Sequence, residues 1–179
     1  MKPITLYLFS IVTLLSSVNG FSQGDGLYFE NSSIMYQRVF EGELTNPVLF
    51  LESIQGTKEV RSTNDVFFCE IQVSEVEIES SMKEIELSKG STAVFLQDAE
   101  YKMKVKLELK EGRYRVTVSE FECDLKKAQL KDGAIEQYIV KNNGDIRPKQ
   151  FQQAQKIFNH IFQERFEHKV NSSPGGDDW

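Results

Sequence analysis

Residues 101–123, YKMKVKLELKEGRYRVTVSEFEC, decide the reading of the fold. Tyr101, Met103, Val105, Leu107 and Leu109 alternate with Lys102, Lys104, Lys106, Glu108 and Lys110. A period of two turns one apolar face to a core and one charged face to water. Glu111-Gly112 supplies the turn, because glycine takes the positive φ that a tight hairpin demands. Tyr114, Val116 and Val118 form the apolar set of the return strand. Setting Leu109 against Tyr114, Leu107 against Val116 and Val105 against Val118 keeps like faces together. Continued unchanged, that register puts Met103 against Glu120. One extra residue at Ser119-Glu120 sets Met103 against Phe121 and Tyr101 against Cys123 instead. The sequence therefore predicts a β-bulge there.

Around the hairpin the chain reads as alternating short elements. Ile34–Glu41 (IMYQRVFE) is the first strand, with Ile34, Tyr36, Arg38 and Phe40 on one face. Asn46-Pro47 opens a short apolar helix, PVLFLESI, with asparagine as cap and proline in the first turn. Thr57–Asn64 reads as a polar loop. Asp65–Glu79 (DVFFCEIQVSEVEIE) reads as one long strand with a bulge near Ser74-Glu75, or as a strand broken there. MKEIEL and STAVFLQ, within 82–97, are strand-like, with a turn at 88–90. Ala134–Val140 is a short strand or a turn of helix, and Asn142–Asp145 is a turn. Lys149–Val170 is a long helix whose Phe151, Ala154, Phe158, Ile161, Phe162 and Phe166 share one side. The sum is a two-layer α+β domain: an antiparallel sheet with a short early helix and a long C-terminal helix packed on one face. A cystatin-like helix-on-sheet arrangement is the alternative.

The two ends read differently. Residues 1–22 have the composition of a signal peptide, with Lys2 ahead of an apolar run from Ile4 to Val18 that is short for a bilayer span. Residues 23–32 read as a mobile lead, 33–170 as a single domain, and 171–179 (NSSPGGDDW) as a disordered tail. The expected location is outside the cytoplasm, periplasmic or extracellular. The formal charge is −6, and loss of the leader with Lys2 makes the remainder one unit more acidic. Such a chain repels nucleic acid. No second apolar stretch is long enough to span a membrane. Of the two cysteines, Cys69 and Cys123, each lies on an inward strand position. In an oxidising compartment they form a disulfide, or they remain two buried thiols.

The candidate chemistry lies on the hairpin's outer face, where Lys102, Lys104, Lys106, Lys110, Arg113 and Arg115 are interrupted only by Glu108. That row suits an anionic ligand: an acidic glycan, a lipid headgroup or an acidic protein. The stronger competing reading is a solvated sheet face, neutralised by Glu75, Glu77 and Glu79 if their strand lies alongside. His160, Glu164 and His168 follow at i, i+4 and i+8, a spacing that can hold a metal. They lie opposite the apolar stripe with no second shell to orient them, so an incidental polar face is expected and no metal. Arg165 falls within the stripe and covers apolar surface with its stem or pairs with a sheet-edge carboxylate. There is no G-x-S-x-G, C-x-x-C, glycine-rich phosphate loop or dinucleotide fingerprint, and no cofactor is implied.

YQRVFEG leading into a short helix, the lysine-rich strand, its Lys110–Val118 turn and return, and a leader ending in FSQ together resemble a bacterial family. These are exported domains of unknown function with a TATA-binding-protein-like (TBP-like) fold, and the likeness spans roughly residues 33–124. The resemblance implies a curved antiparallel sheet with helices on one side, and no activity or catalytic residues. The expected function is a non-enzymatic binding or envelope-associated module with a basic open sheet face. The alternatives are a small periplasmic hydrolase acting through carboxylates or His160, and a structural or inhibitory protein docking by a sheet edge.

Overall fold

The hairpin forms with the register read from its alternation. In the computed structural model, which describes residues 25–125 and 131–167, β5 (Ala99–Lys110) and β6 (Arg113–Leu125) pair antiparallel. Leu109 faces Tyr114, Leu107 faces Val116 and Val105 faces Val118. The register then shifts between Lys102 and Lys104, so that Lys104 faces Ser119, Lys102 faces Glu122 and Tyr101 faces Cys123. Glu120 absorbs the extra residue at φ 55°, in the left-handed region that bulges use.

Among the described residues the hairpin sits at the middle of a seven-stranded antiparallel sheet. β2 (Ser33–Glu41) lies beside β6, with Tyr36 facing Val118 and Phe40 facing Tyr114. β4 (Val66–Val73) lies beside β5, with Cys69 facing Val105. Two edge strands replace segments expected to be irregular. β1 (Gly26–Glu30), expected as a lead outside the domain, pairs with β2. It is tied to the long helix: the Leu27 N–H donates to Asn159 Oδ1 at 2.7 Å, and Gln155 Nε2 donates to the Leu27 carbonyl at 2.8 Å. Gly26 has φ 116°, and a Cβ there would stand 2.7 Å from the Asn159 amide, so only glycine fits this approach. β3 (Lys58–Thr63), expected as a polar loop, is the opposite edge. Its polarity is that of an edge strand with most residues in water. The short β7 (Gly133–Ala134) adds to β6 beyond the bulge.

The early helix α1 (Pro47–Ser53) is capped as expected, Asn46 Oδ1 accepting from the Leu49 N–H at 3.1 Å. The strand expected to continue to Glu79 does not exist. It stops at Val73, and Ser74 caps α2 (Glu75–Glu84), its hydroxyl accepting from the Glu77 N–H at 3.3 Å. Ile78, Ser81 and Met82 are buried while Val76 is 77% exposed, a helical rather than an alternating pattern. MKE closes this helix, and VFLQ is the single turn α3 (Val94–Gln97), not a strand. After α4 (Glu136–Ile139) and a turn at Gly144 comes α5 (Pro148–Phe166).

The core lies between the sheet's inner face and these helices. Phe158 of α5 sets its ring edge-on to Tyr101 at 5.0 Å and to Phe121 at 5.2 Å. Phe162 meets Tyr36 at 4.8 Å, and the Tyr114 hydroxyl donates to the Phe166 carbonyl. Of the two alternatives for Cys69 and Cys123, the structure has the thiols: both are buried and free. β5 runs between their strands, and Cys69 faces Val105 while Cys123 faces Tyr101. Two strand spacings and four residues of offset separate their Cα atoms by roughly 16 Å, against a limit of about 7 Å for a bridge. Burial pushes the Cys69 thiol up to about 12 and also raises that of Cys123, so both are inert as nucleophiles near neutral pH. Residues 1–22, expected as a signal peptide, the expected tail 171–179 and His168 lie outside the described residues.

Truncating Phe158 to alanine removes a ring that joins α5 to both hairpin strands. The expected loss is about 3–5 kcal/mol in urea unfolding, a loss typical of a fully buried phenylalanine. A loss below about 1 kcal/mol contradicts this packing.

Candidate functional site

Two surfaces bring the sequence-derived candidates together, one on each side of the sheet. The first is the sheet's outer face. Alternation sends Lys102, Lys104 and Lys106 of β5, Arg113 and Arg115 of β6, and Phe68 and Glu70 of β4 to this side, opposite the helices. Lys102, Lys104 and Glu70 are exposed, and Phe68 is 43% exposed. The acidic row expected to neutralise the lysines is not here, because Glu75, Glu77 and Glu79 belong to α2.

Other carboxylates take that role. Lys104 Nζ lies 2.6 Å from Glu120 Oε2, a carboxylate placed by the bulge. Glu108 accepts from Lys106 Nζ at 3.0 Å and from Arg115 Nε at 2.8 Å. Glu70 and Gln72 face Lys104 and Lys102 from β4, and Glu122 faces Lys102 from β6. At the hairpin tip Lys110 and Arg113 line a depression together with Glu43, Asp65 and Glu111. The expected basic row is thus interleaved with acids strand by strand. The β3 bulge between Lys58 and Arg61 opens a shallow hollow of about 210 Å³ beside Phe68, with Arg61, Glu70 and Lys104 at its rim.

The second surface is the seam between α2 and α5. Arg165, with only 8% of its side chain exposed, donates from Nε to Glu77 Oε1 at 2.6 Å and from Nη2 to the Gln72 carbonyl at 3.0 Å. The pairing expected of Arg165 is therefore with the first turn of a helix, not with a sheet edge. His160 stands one turn before Glu164 on α5. It was expected in open water, yet its side chain is only 25% exposed because α2 covers it. Its Nδ1 is 3.1 Å from Ser81 Oγ, and its Nε2 is 3.4 Å from Glu84 Oε2. One donor atom from each of Glu84, His160 and Glu164 lies within 4.8 Å of the others. Glu84 is the residue that sequence reasoning missed, because its segment was read as a strand. The S-x-x-E of Ser74–Glu77, a helix-start signature, was the available signal.

No protein-family model matches the chain, and no curated protein does. Two solved structures are similar to it. One is a TBP-like protein from Parabacteroides distasonis, 16% identical, with a TM-score of 0.44 over 78% of this chain and 94% of that one. The other is a DUF4468 family protein from Bacteroides ovatus, 7% identical, with a TM-score of 0.42 over 77% of this chain and 85% of that one. No helix among the described residues is long and apolar enough to cross a membrane.

Burial raises the Glu108 carboxyl, but hydrogen bonds and charge from Lys106 and Arg115 outweigh it and leave the pKa lowered. A depressed folded pKa stabilises above the unfolded carboxylate value of about 4.3 and is lost as pH falls through the folded value. Glu108→Gln is therefore expected to cost about 1 kcal/mol at pH 7. In urea unfolding followed against pH, that cost shrinks on acidification. A gap that stays constant down to pH about 3 contradicts the assignment.

Proposed function

We propose that this protein is an exported, non-enzymatic binding module whose contact surface is the outer face of the sheet. The observation that carries this is the placement of the helices. α1 to α5 pack toward the inner face, and the outer residues of β2, β4, β5 and β6 remain half-buried or exposed. An antiparallel sheet tolerates one face in water, so this face is available without loss of core. Export rests on the composition of residues 1–22.

Lys102, Lys104, Lys106, Lys110, Arg113 and Arg115 form the contact row in this reading. Their interleaving with Glu70, Glu108, Glu120 and Glu122 favours a protein partner of complementary, alternating charge. It disfavours a polyanion such as an acidic glycan or an anionic lipid surface, which gains only from uncompensated positive charge. Phe68 beside its hollow supplies an apolar anchor of the kind that concentrates binding energy.

Photo-crosslinking in the native cell tests this. A photoreactive residue at Phe68 or Lys106 is expected to give a discrete protein adduct, and one at the exposed Val76 of α2 is not. Adding Lys104→Glu and Arg115→Glu lowers the yield several-fold. Equal adducts from Val76, or retention of the protein on an anionic glycan column at physiological salt, contradict the reading.

A further inference from the structure

We propose that Glu84, His160 and Glu164 form a binding site for one divalent transition-metal ion of the zinc class, clamping α2 to α5. The three donors come from two helices far apart in sequence and converge within 4.8 Å. His160 and Glu164 share one face of α5 because they are four residues apart. Glu84 ends α2.

The His160–Glu84 distance leaves room for an ion shared between the two groups. An imidazolium donating directly to a carboxylate closes to about 2.7–2.9 Å. Here Nε2 and Oε2 stand 3.4 Å apart. Ligands about 2.1 Å from a tetrahedral zinc are about 3.4 Å from one another. The separation is compatible with two ligands sharing an ion, and is long for a strong hydrogen bond.

Both donors also have an outer partner that aims them. Ser81 Oγ is 3.5 Å from the Ile157 carbonyl and 3.1 Å from His160 Nδ1. A hydroxyl that donates to the carbonyl accepts from Nδ1–H, which leaves Nε2 as the bare lone pair facing Glu84. Ser80 Oγ donates to Glu84 Oε1 at 3.2 Å, holding that carboxylate by its other oxygen. Metal-bound histidines and carboxylates are oriented in this way.

The local charge agrees. Glu84 sits in the last turn of α2, where the helix dipole disfavours an anion. Glu164 brings a second carboxylate to the same point. The neighbouring Arg165 does not cancel them, because Glu77 holds it through both oxygens. A cation between the two glutamates relieves both terms. An imidazole with two carboxylates suits zinc-class ions over magnesium or calcium. Glu84 and Glu164 also line, with Ser80, a hollow of about 200 Å³ from which water can reach them.

The test uses tag-free protein stripped with chelator and titrated with Zn²⁺ by calorimetry, and with Co²⁺ by absorbance. One ion per chain is expected, with a raised melting temperature and a four-coordinate Co²⁺ spectrum. His160→Ala and Glu164→Gln each weaken binding by about tenfold or more, and circular dichroism reports whether each variant is folded. His168→Gln, the other histidine, leaves binding unchanged. Absence of binding to the wild type overturns the proposal. So does binding that survives Glu164→Gln and His160→Ala, or binding abolished by His168→Gln.

Discussion

The structure depends on the contact between one helix face and a hairpin that changes parity half-way along. Phe158 sits edge-on to both Tyr101 and Phe121. Phe121 is available only because the bulge at Glu120 turns it inward; the uninterrupted register would offer Glu120 to the core. A buried, unpaired carboxylate at that position is ruled out by its desolvation cost. The bulge therefore secures the aromatic cluster, and the cluster in turn orders the helix. Phe162 on Tyr36 and the Tyr114–Phe166 hydrogen bond extend the same seam toward β2.

Helices gathered on one face leave the other face to water, and the character of that face follows. Lysines on the central strand would repel one another if unopposed. Glu70, Glu108, Glu120 and Glu122 are placed across or along the strands from them instead. Such pairs fix register and keep the sheet soluble, each contributing a fraction of a kcal/mol. Against this lattice a uniform polyanion meets as much repulsion as attraction. The inner side has its own polar seam, where α2 is held to α5 by Arg165 and Glu77 at one end and meets His160 at the other.

The parts legible in the sequence are those decided by short-range periodicity. The hairpin register, the bulge at Ser119-Glu120, the Asn46-Pro47 helix start and the stripe of α5 each follow from residues within a few positions of one another. The misread parts had two local solutions, or depended on topology. E-V-E-I-E alternates, so it fits a strand, yet with Ser74 as cap and Ile78 and Met82 inward it is a helix. Reading this segment as a strand put the acidic row on the sheet, and reading MKEIEL as another hid the partner of His160. β3 was missed because KEVRST has one apolar residue, Val60, and so no alternating face to reveal it. The cysteine pair could be placed only once β5 was known to run between β4 and β6.

Native-state hydrogen exchange measures the central dependence directly. If the aromatic seam makes α5 and the hairpin one cooperative unit, the slowest amides of β5, β6 and α5 converge on a single opening free energy near the global value. If α5 instead opens at a free energy about 2 kcal/mol or more below that of the hairpin, the helix is an accessory to an independently stable sheet, and this account of the fold fails.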